Sequence, residues 1–397
     1  MVTDELAFMK RIRRRILAGN WEFFAVTAPG LEKICRNECD SFPFLNSTFE
    51  AVKGGVEFSG RVHLVYEANL YLRTANRIIM RIGGFKATNF RQLEKKLSEF
   101  SWELFLNPYN TIKVKVSTTH SRLYHTDAVA DRIHDILDGY LCGLPQKSMP
   151  SEDLIQTLYV RIVDDQVTLS LDSSGEILYK RGIKTHGGIA PLRETTTCAA
   201  LMLAGYTGHE PLIDPMCGSG TFSIEAAMMA LNIPPGWFRK FAFMQWPCFN
   251  PARWEYIRRL SKKQFLEAKQ PIIFASDMDV GICRELENCV MKNGFDHIIR
   301  VNEGLDFFAL CPEKFTEKPG LVVLNPPYGL RMASLETGTE KFFQEIFKKL
   351  KKDYKLWKFA IIIPSKHLLR TARVPLKVKP LFHGGLRLFL LYGTVPG

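Results

Sequence analysis

The sequence predicts an α/β protein whose second half forms an open, mostly parallel sheet with a terminal antiparallel hairpin, preceded by an α+β front half. Three observations carry this. From residue 192 onward, short runs rich in Ile, Val, Leu and Phe alternate with helical segments. Two strand-like runs, Leu376 to Phe382 and Leu386 to Thr394, close the chain around His383-Gly384-Gly385. Turn-rich sequence at Asp172-Ser173-Ser174-Gly175 and at His186-Gly187-Gly188 brackets the point where the pattern changes.

The front half begins with a basic stretch containing Lys10, Arg11, Arg13, Arg14 and Arg15. Asp4, Glu5 and the lack of Ser argue against an organellar presequence, so a basic helix ending near Gly19-Asn20 is expected. Trp21 to Thr27 reads as a strand, stopped by Pro29-Gly30, and Leu31 to Cys39 as a helix. A short strand at Gly54 to Phe58 precedes a helix over Val62 to Leu72. Strands at Ile78 to Phe85, Thr111 to Ser117 and Leu158 to Leu171 are separated by helices at Phe90 to Phe100 and Asp127 to Tyr140.

In the second half, Leu192 to Gly205 and Thr221 to Leu231 read as helices around a short strand at Pro211 to Asp214. Further strands fall at Ile272 to Ala275, Ile298 to Val301, Leu321 to Leu324 and Phe359 to Ile363. Between Leu231 and Ile272 lies an extra segment with eight aromatics from Trp237 to Tyr256, Arg239 and Lys240 among them. Such a segment can stack on splayed RNA bases, but a satellite core over the sheet is the more usual fate of Trp and Phe.

The 53 Lys and Arg against 41 Asp and Glu leave a net charge of +12, which favours a polyanionic partner, nucleic acid before membrane. No apolar run approaches the ~20 residues of a membrane span. The nine cysteines include no Cys-x-x-Cys pair, and no His or Cys set has metal-ligand spacing, so reduced thiols in a cytoplasmic, metal-free protein are expected.

The loop Asp214-Pro215-Met216-Cys217-Gly218-Ser219-Gly220-Thr221 runs from strand into an apolar helix. Its glycines permit close backbone approach to a ligand, and the helix start offers free N–H donors. It lacks the third glycine of a dinucleotide fingerprint, and the next strand-end acid, Asp277, lies 57 residues beyond Gly220. No Gly-Lys-Ser/Thr follows, so it is not a Walker loop either. The carboxylate of Asp214 suits a cationic group, and a sulfonium-bearing amino acid would have its ammonium and carboxylate answered separately. Asp277 ends the second strand, placed to accept from two ribose hydroxyls. Asp306 follows the third strand, placed to accept from an adenine amino group. A helix-capping role is open to each alone, but together they sit at successive strand ends, where open α/β sheets bind ligands.

Asn325-Pro326-Pro327-Tyr328-Gly329 follows the fourth strand. The amide oxygen of Asn325 and the carbonyl of Pro326, held by a proline-stiffened turn, form an acceptor pair for an –NH₂ group, and Tyr328 can stack on the base carrying it. An exocyclic amine conjugated to a ring is a poor nucleophile; accepting from both its protons frees its lone pair for attack.

With these motifs in view, the segment from Pro191 onward resembles a class I S-adenosylmethionine-dependent methyltransferase of the amino-methylating group. The whole chain is similar to the bacterial 23S rRNA guanine-N2 methyltransferases in their single-catalytic-domain form. Lys180-Arg181-Gly182, Pro191-Leu192-Arg193-Glu194, the Asp214 to Thr221 loop, Pro235-Gly236 and Asn325 to Gly329 carry the likeness. It implies a ferredoxin-like module over 1–75, a THUMP RNA-binding domain over 76–175 and a Rossmann-like methyltransferase domain over 187–397. By the same resemblance Asp214, Met216, Gly218, Gly220, Thr221, Asp277, Asp306 and Asn325 bind S-adenosyl-L-methionine, and Asn325, Pro326 and Tyr328 are catalytic. The implied partner is 23S rRNA or a large-subunit precursor, acted on by a cytoplasmic monomer that modifies rRNA. A tRNA guanine-N2 methyltransferase and a catalytically silent RNA-binding assembly factor are the alternatives.

Overall fold

The computed structural model describes residues 14–42, 47–143, 154–184, 192–327, 336–372 and 374–397. Tyr328, Gly329, Pro191, His186-Gly187-Gly188 and the first basic residues, Lys10 to Arg13, lie outside them. The chain divides into two compact units. The first gathers the residues up to Thr27, Cys35–Leu178 and Arg239–Arg259; the second gathers Ala28–Ile34, Tyr179–Phe238 and Leu260–Gly397.

In the first unit, residues 14–18 are helical and lead into β1 (Trp21–Thr27). There follow α1 (Glu32–Asp40), β2 (Glu50–Val52), β3 (Gly55–Gly60), α2 (Leu64–Tyr71), β4 (Ala75–Lys86), α3 (Phe90–Ser98), β5 (Asn110–Thr119), α4 (Thr126–Cys142), β6 (Leu154–Val163) and β7 (Gln166–Asp172). One seven-stranded sheet results, ordered β2-β3-β1-β4-β7-β6-β5, with β5 and β6 parallel and the other pairs antiparallel. The period of two explains the pairing: Phe23, Ala25 and Thr27 of β1 are buried while their neighbours are not. Helix α3 starts where the side chain of Asn89 accepts from the Gln92 N–H at 3.0 Å, and buries Leu93 and Leu97 one turn apart.

The single strand expected over Leu158 to Leu171 is two. Asp164 and Asp165 take φ of 51° and 63°, a two-residue left-handed turn that folds β7 back on β6. The aromatic segment divides: Trp237 and Phe238 pack on the core of the second sheet, as expected, while Phe241 to Trp254 form a satellite core against α2 and β6. Phe243 is fully buried, stacked on Tyr66 of α2 at 4.6 Å and edge-on to Trp254 at 5.4 Å. The Trp246 indole N–H donates to Gln156 Oε1 of β6 at 2.9 Å.

The second unit is built from α5 (Glu194–Leu203), β8 (Leu212–Asp214), α6 (Thr221–Ala230), β9 (Ile273–Asp277), α8 (Val280–Lys292), β10 (Ile299–Glu303), β11 (Leu321–Leu324), α9 (Glu336–Asp353), β12 (Lys358–Ile363), β13 (Lys377–His383) and β14 (Leu386–Thr394). Helix α7 (Pro251–Lys262) begins among the residues of the first unit. The sheet order is β10-β9-β8-β11-β12-β14-β13; β8 to β12 are parallel and the hairpin β13–β14 is antiparallel. Strands β11 and β12 are continuous apolar runs because both faces are covered. Leu321 and Val323 join one core with Ala360 and Ile362; Val322 and Leu324 join the other with Phe359, Ile361 and Ile363.

From β8 the chain builds outward through β9 to β10, then crosses to the other side of β8 to lay down β11. The sheet therefore has its topological switch between β8 and β11, and the carboxyl ends of strands at such a switch are where open α/β sheets bind ligands. Among the described residues no helix is long and apolar enough to cross a membrane.

Candidate functional site

The loop between β8 and α6 stands on one side of this switch. Gly218 and Gly220 both hold left-handed backbone, with φ of 50° and 70°. A Cβ at Gly218 would meet nothing within 4 Å, so this glycine faces open space. One at Gly220 would fall 2.2 Å from Leu286 Cδ1 of α8, so this glycine serves internal packing as well as the turn. The two glycines, read alike in the sequence as letting a ligand approach, thus do different work.

Asp214, 1% exposed, ends β8. Its Oδ2 accepts from the Ser223 hydroxyl at 2.8 Å, while Oδ1 is buried without a partner among the described residues. Burial pushes its carboxyl up to about 7; the charge of Asp277 adds to this, and the Ser223 hydrogen bond and Lys184 oppose it. Asp277 ends β9 and latches the loop: its Oδ2 accepts from the Gly218 N–H at 3.0 Å and its Oδ1 from the Asp279 N–H at 3.1 Å. The neighbouring Asp279, rather than Asp277, caps α8, accepting from the Ile282 N–H at 3.1 Å. Asp306, just beyond β10, has its Oδ1 accepting from the Phe308 N–H at 3.0 Å. Met216 is half-buried against the aromatic core of the sheet's second face.

Thr221 is buried, and its hydroxyl accepts from Lys184 Nζ at 2.6 Å; Ser219 Oγ accepts from the same ammonium at 3.2 Å. An ammonium has only donors. Both hydroxyls must therefore accept on that side and turn their own hydrogens elsewhere, which orients the loop's hydroxyl groups. Beneath them Arg181 Nε pairs with Glu225 Oε1 of α6 at 2.9 Å, both fully enclosed, and Cys198 Sγ donates to Glu225 Oε2 at 2.7 Å. Lys184, Ser223 and Glu225 were not singled out from sequence. Their roles depend on partners up to 44 residues away, which no local pattern announces.

On the other side of the switch Asn325 follows β11 directly. Its Oδ1 is buried with no hydrogen-bond donor among the described residues, and Pro326 is buried beside it. An enclosed amide oxygen without a donor costs about 1–3 kcal/mol unless something donates to it. The strand ends thus bring Asp214, Asp277, Asp306 and Asn325 to one edge of the sheet, with two orphaned acceptors, on Asp214 and Asn325, flanking the switch. Tyr328 lies outside the described residues. Among those described, no three His, Cys, Asp or Glu side chains converge as metal ligands would.

Residues 181–386, just over half of the chain, match the family described as the RMKL-like methyltransferase domain. This chain belongs to that family. In the first unit, residues 22–79 match the RlmL ferredoxin-like domain and 87–172 the THUMP domain. The methyltransferase is 32% identical over 383 residues to a putative RNA methyltransferase of a Synechocystis strain, covering 93% of this chain and 95% of that one. It is 30% identical over 352 residues to the ribosomal RNA large subunit methyltransferase K/L of Methylococcus capsulatus. That match takes in 86% of this chain but only 46% of the relative, about half its length. Among solved structures, SMU.472, a putative methyltransferase complexed with S-adenosylhomocysteine, superposes with a TM-score of 0.82 at 25% identity, covering 95% of this chain and 98% of that one. The expected fold class stands: a class I Rossmann-like methyltransferase sheet with a terminal antiparallel hairpin, behind a ferredoxin-like and THUMP region.

Proposed function

We propose that this methyltransferase uses S-adenosyl-L-methionine to form N2-methylguanosine in RNA, with 23S rRNA as the substrate. The observation that carries the reading is the orphaned Asn325 Oδ1 at the sheet's switch point, across from the Asp214 loop. The residues present fit both reactants. A buried acceptor on Asp214 suits the ammonium of the cofactor's amino acid, and Asp277 suits its ribose. The open backbone at Gly218 leaves room for close approach. When bound, the cofactor supplies an electrophilic methyl group on sulfur.

The chain's own residues do the rest by position. Asn325 Oδ1 and the Pro326 carbonyl accept from the two amine hydrogens of guanine N2, and Tyr328 stacks on the ring. This frees the nitrogen lone pair for in-line attack and needs no strong base, because the proton leaves only after the nitrogen has become cationic. Orientation and preorganised acceptors account for the rate. The THUMP match and the RNA methyltransferase relatives favour RNA over DNA, and the K/L relatives favour the large subunit over tRNA. Transfer of tritium from labelled cofactor to protein-free 23S rRNA, with no transfer to tRNA or duplex DNA, is the expected result. Transfer to tRNA alone would replace the substrate, and transfer to none would leave an RNA-binding assembly factor.

Two expected results concern the cofactor. Asp277→Ala removes the proposed acceptor for the ribose and unlatches Gly218, so S-adenosylhomocysteine affinity should fall by about 1–3 kcal/mol. Unchanged affinity by calorimetry would remove Asp277 from the site. The second concerns pH. Asp214 ionises at about 7 in the free protein, and an ammonium ligand requires it ionised. Below that pH a proton must leave before the ligand pairs, so affinity should fall as pH drops, by up to about tenfold per unit. It should level off above pH 7. Asp214→Asn should flatten the profile, and a flat profile in the unaltered protein would contradict the ammonium assignment.

A further inference from the structure

The register of the terminal hairpin places a second group of side chains on the rim that carries Asn325. Strand β12 ends at Ile363, which pairs with Phe389 of β14, so Leu386, Arg387 and Leu388 run on past the end of β12. The overhang is about 10 Å at ~3.3 Å per residue. His383 pairs with Leu386, so the tip of the hairpin stands on the same carboxyl-end edge. Leu324 and Leu391 are both paired with Ile361 of β12, so Asn325 and β14 are only two strands apart. That is about 10 Å across the sheet.

What stands on this overhang is basic and apolar. Lys366, three residues past β12, and Arg387 share one aromatic ring: each cationic group lies 5.6 Å from the centroid of Phe389. Both side chains are exposed, and neither has a carboxylate partner among the described residues. Arg370 closes the same short 3-10 helix, Lys366–Thr371, also exposed. Glu340 faces His367 of the same 3-10 helix at 3.8 Å, not Lys366 or Arg370. Two exposed large apolar side chains, Phe382 at 42% and Leu386 at 54%, crown the tip. Two like charges drawn to one ring repel each other, and an anion between or beside them removes that cost. Cations interleaved with exposed aromatic and apolar groups are how proteins hold single-stranded RNA.

We infer that the rim formed by Lys366, Arg370, Arg387 and the Phe382–Leu386 tip clamps the RNA strand flanking the target base. Lys366 and Arg387 take phosphates, and Phe382 packs against a neighbouring base. This gives the methyltransferase unit its own hold on the substrate, apart from the THUMP domain. It rests on the RNA methyltransferase reading.

The test uses the full chain carrying Lys366→Ala and Arg387→Ala together, with a protein-free 23S rRNA transcript as the probe. S-adenosylhomocysteine affinity, which should be unchanged, reports that the cofactor site is intact. Binding across a salt series should show a log–log slope shallower by about 1.4, from two single-strand phosphate contacts at ~0.7 each. KM for the transcript should rise while kcat holds, and Lys366→Arg with Arg387→Lys should restore both the salt slope and KM. Phe382→Ser should raise KM without changing the slope. A double-alanine variant with the unaltered slope and KM would overturn the clamp. So would a loss seen only on ribosomal particles, which would assign the rim to a ribosomal protein. If the unaltered chain methylates no RNA, the functional reading itself fails, a result distinct from either.

Discussion

Asn325→Ala is expected to lower the rate constant for methyl transfer by at least ~100-fold, the usual cost of losing one preorganised polar contact to a transition state. Affinity for S-adenosylhomocysteine should hardly change. The wild-type amide oxygen is enclosed and has no donor among the described residues, so its removal leaves no broken network and a fold at least as stable. This separates acceptor loss from folding damage, a distinction that is rarely so clear at a buried polar residue. Asn325→Asp keeps an acceptor at the same place and should retain partial activity. Single-turnover methylation with saturating cofactor measures the step directly. A fully active Asn325→Ala protein would mean that another group presents the nucleophile.

Arg181→Met is expected to have the largest effect on stability. Arg181 and Glu225 are both enclosed beneath the cofactor loop, 2.9 Å apart. Removing the guanidinium strands a buried carboxylate, which costs about 3–5 kcal/mol. Within a unit of this size that is a fall in Tm of about 10 °C. Replacing both partners, Arg181→Met with Glu225→Gln, should recover much of the loss, because no charge is then left unpaired. Thermal unfolding followed by circular dichroism checks both variants. An equal loss in the single and double variants would show that the pair contributes through packing rather than charge.

The sequence made the parallel strands legible because burial on both faces leaves continuous apolar runs such as Leu321 to Leu324 and Phe359 to Ile363. It made the strand-end residues legible for a related reason, since Asp214, Asp277 and Asn325 each stand where an apolar run stops. The β6–β7 hairpin was there to be found. Buried apolar residues fall on even positions at Leu158, Val160 and Ile162, then on odd positions at Val167, Leu169 and Leu171. That change of parity is what a two-residue turn produces, and it marks Asp164-Asp165. The short edge strand Glu50–Val52 left no comparable trace, being three residues long and largely exposed.

Other features were closed to local reading. The aromatic segment was legible as a satellite core, but its partners, Tyr66 and Gln156, lie in sequence far from it. The Lys184 contacts to Ser219 and Thr221 span 35 and 37 residues, and a lone lysine before a turn carries no signal of them. Gly220 was legible as a loop glycine, while its clash-free packing on Leu286 exists only once α8 is in place.

The most direct test of the central claim is the identity of the methylated nucleoside. Protein-free 23S rRNA incubated with the enzyme and isotopically labelled S-adenosylmethionine would be digested to nucleosides and resolved by mass spectrometry. Label is expected in N2-methylguanosine, and none when inosine, which lacks the exocyclic amine, replaces the target guanosine. Label in N6-methyladenosine, in a ring-nitrogen or ribose-methylated product, or in the inosine-containing RNA would contradict it.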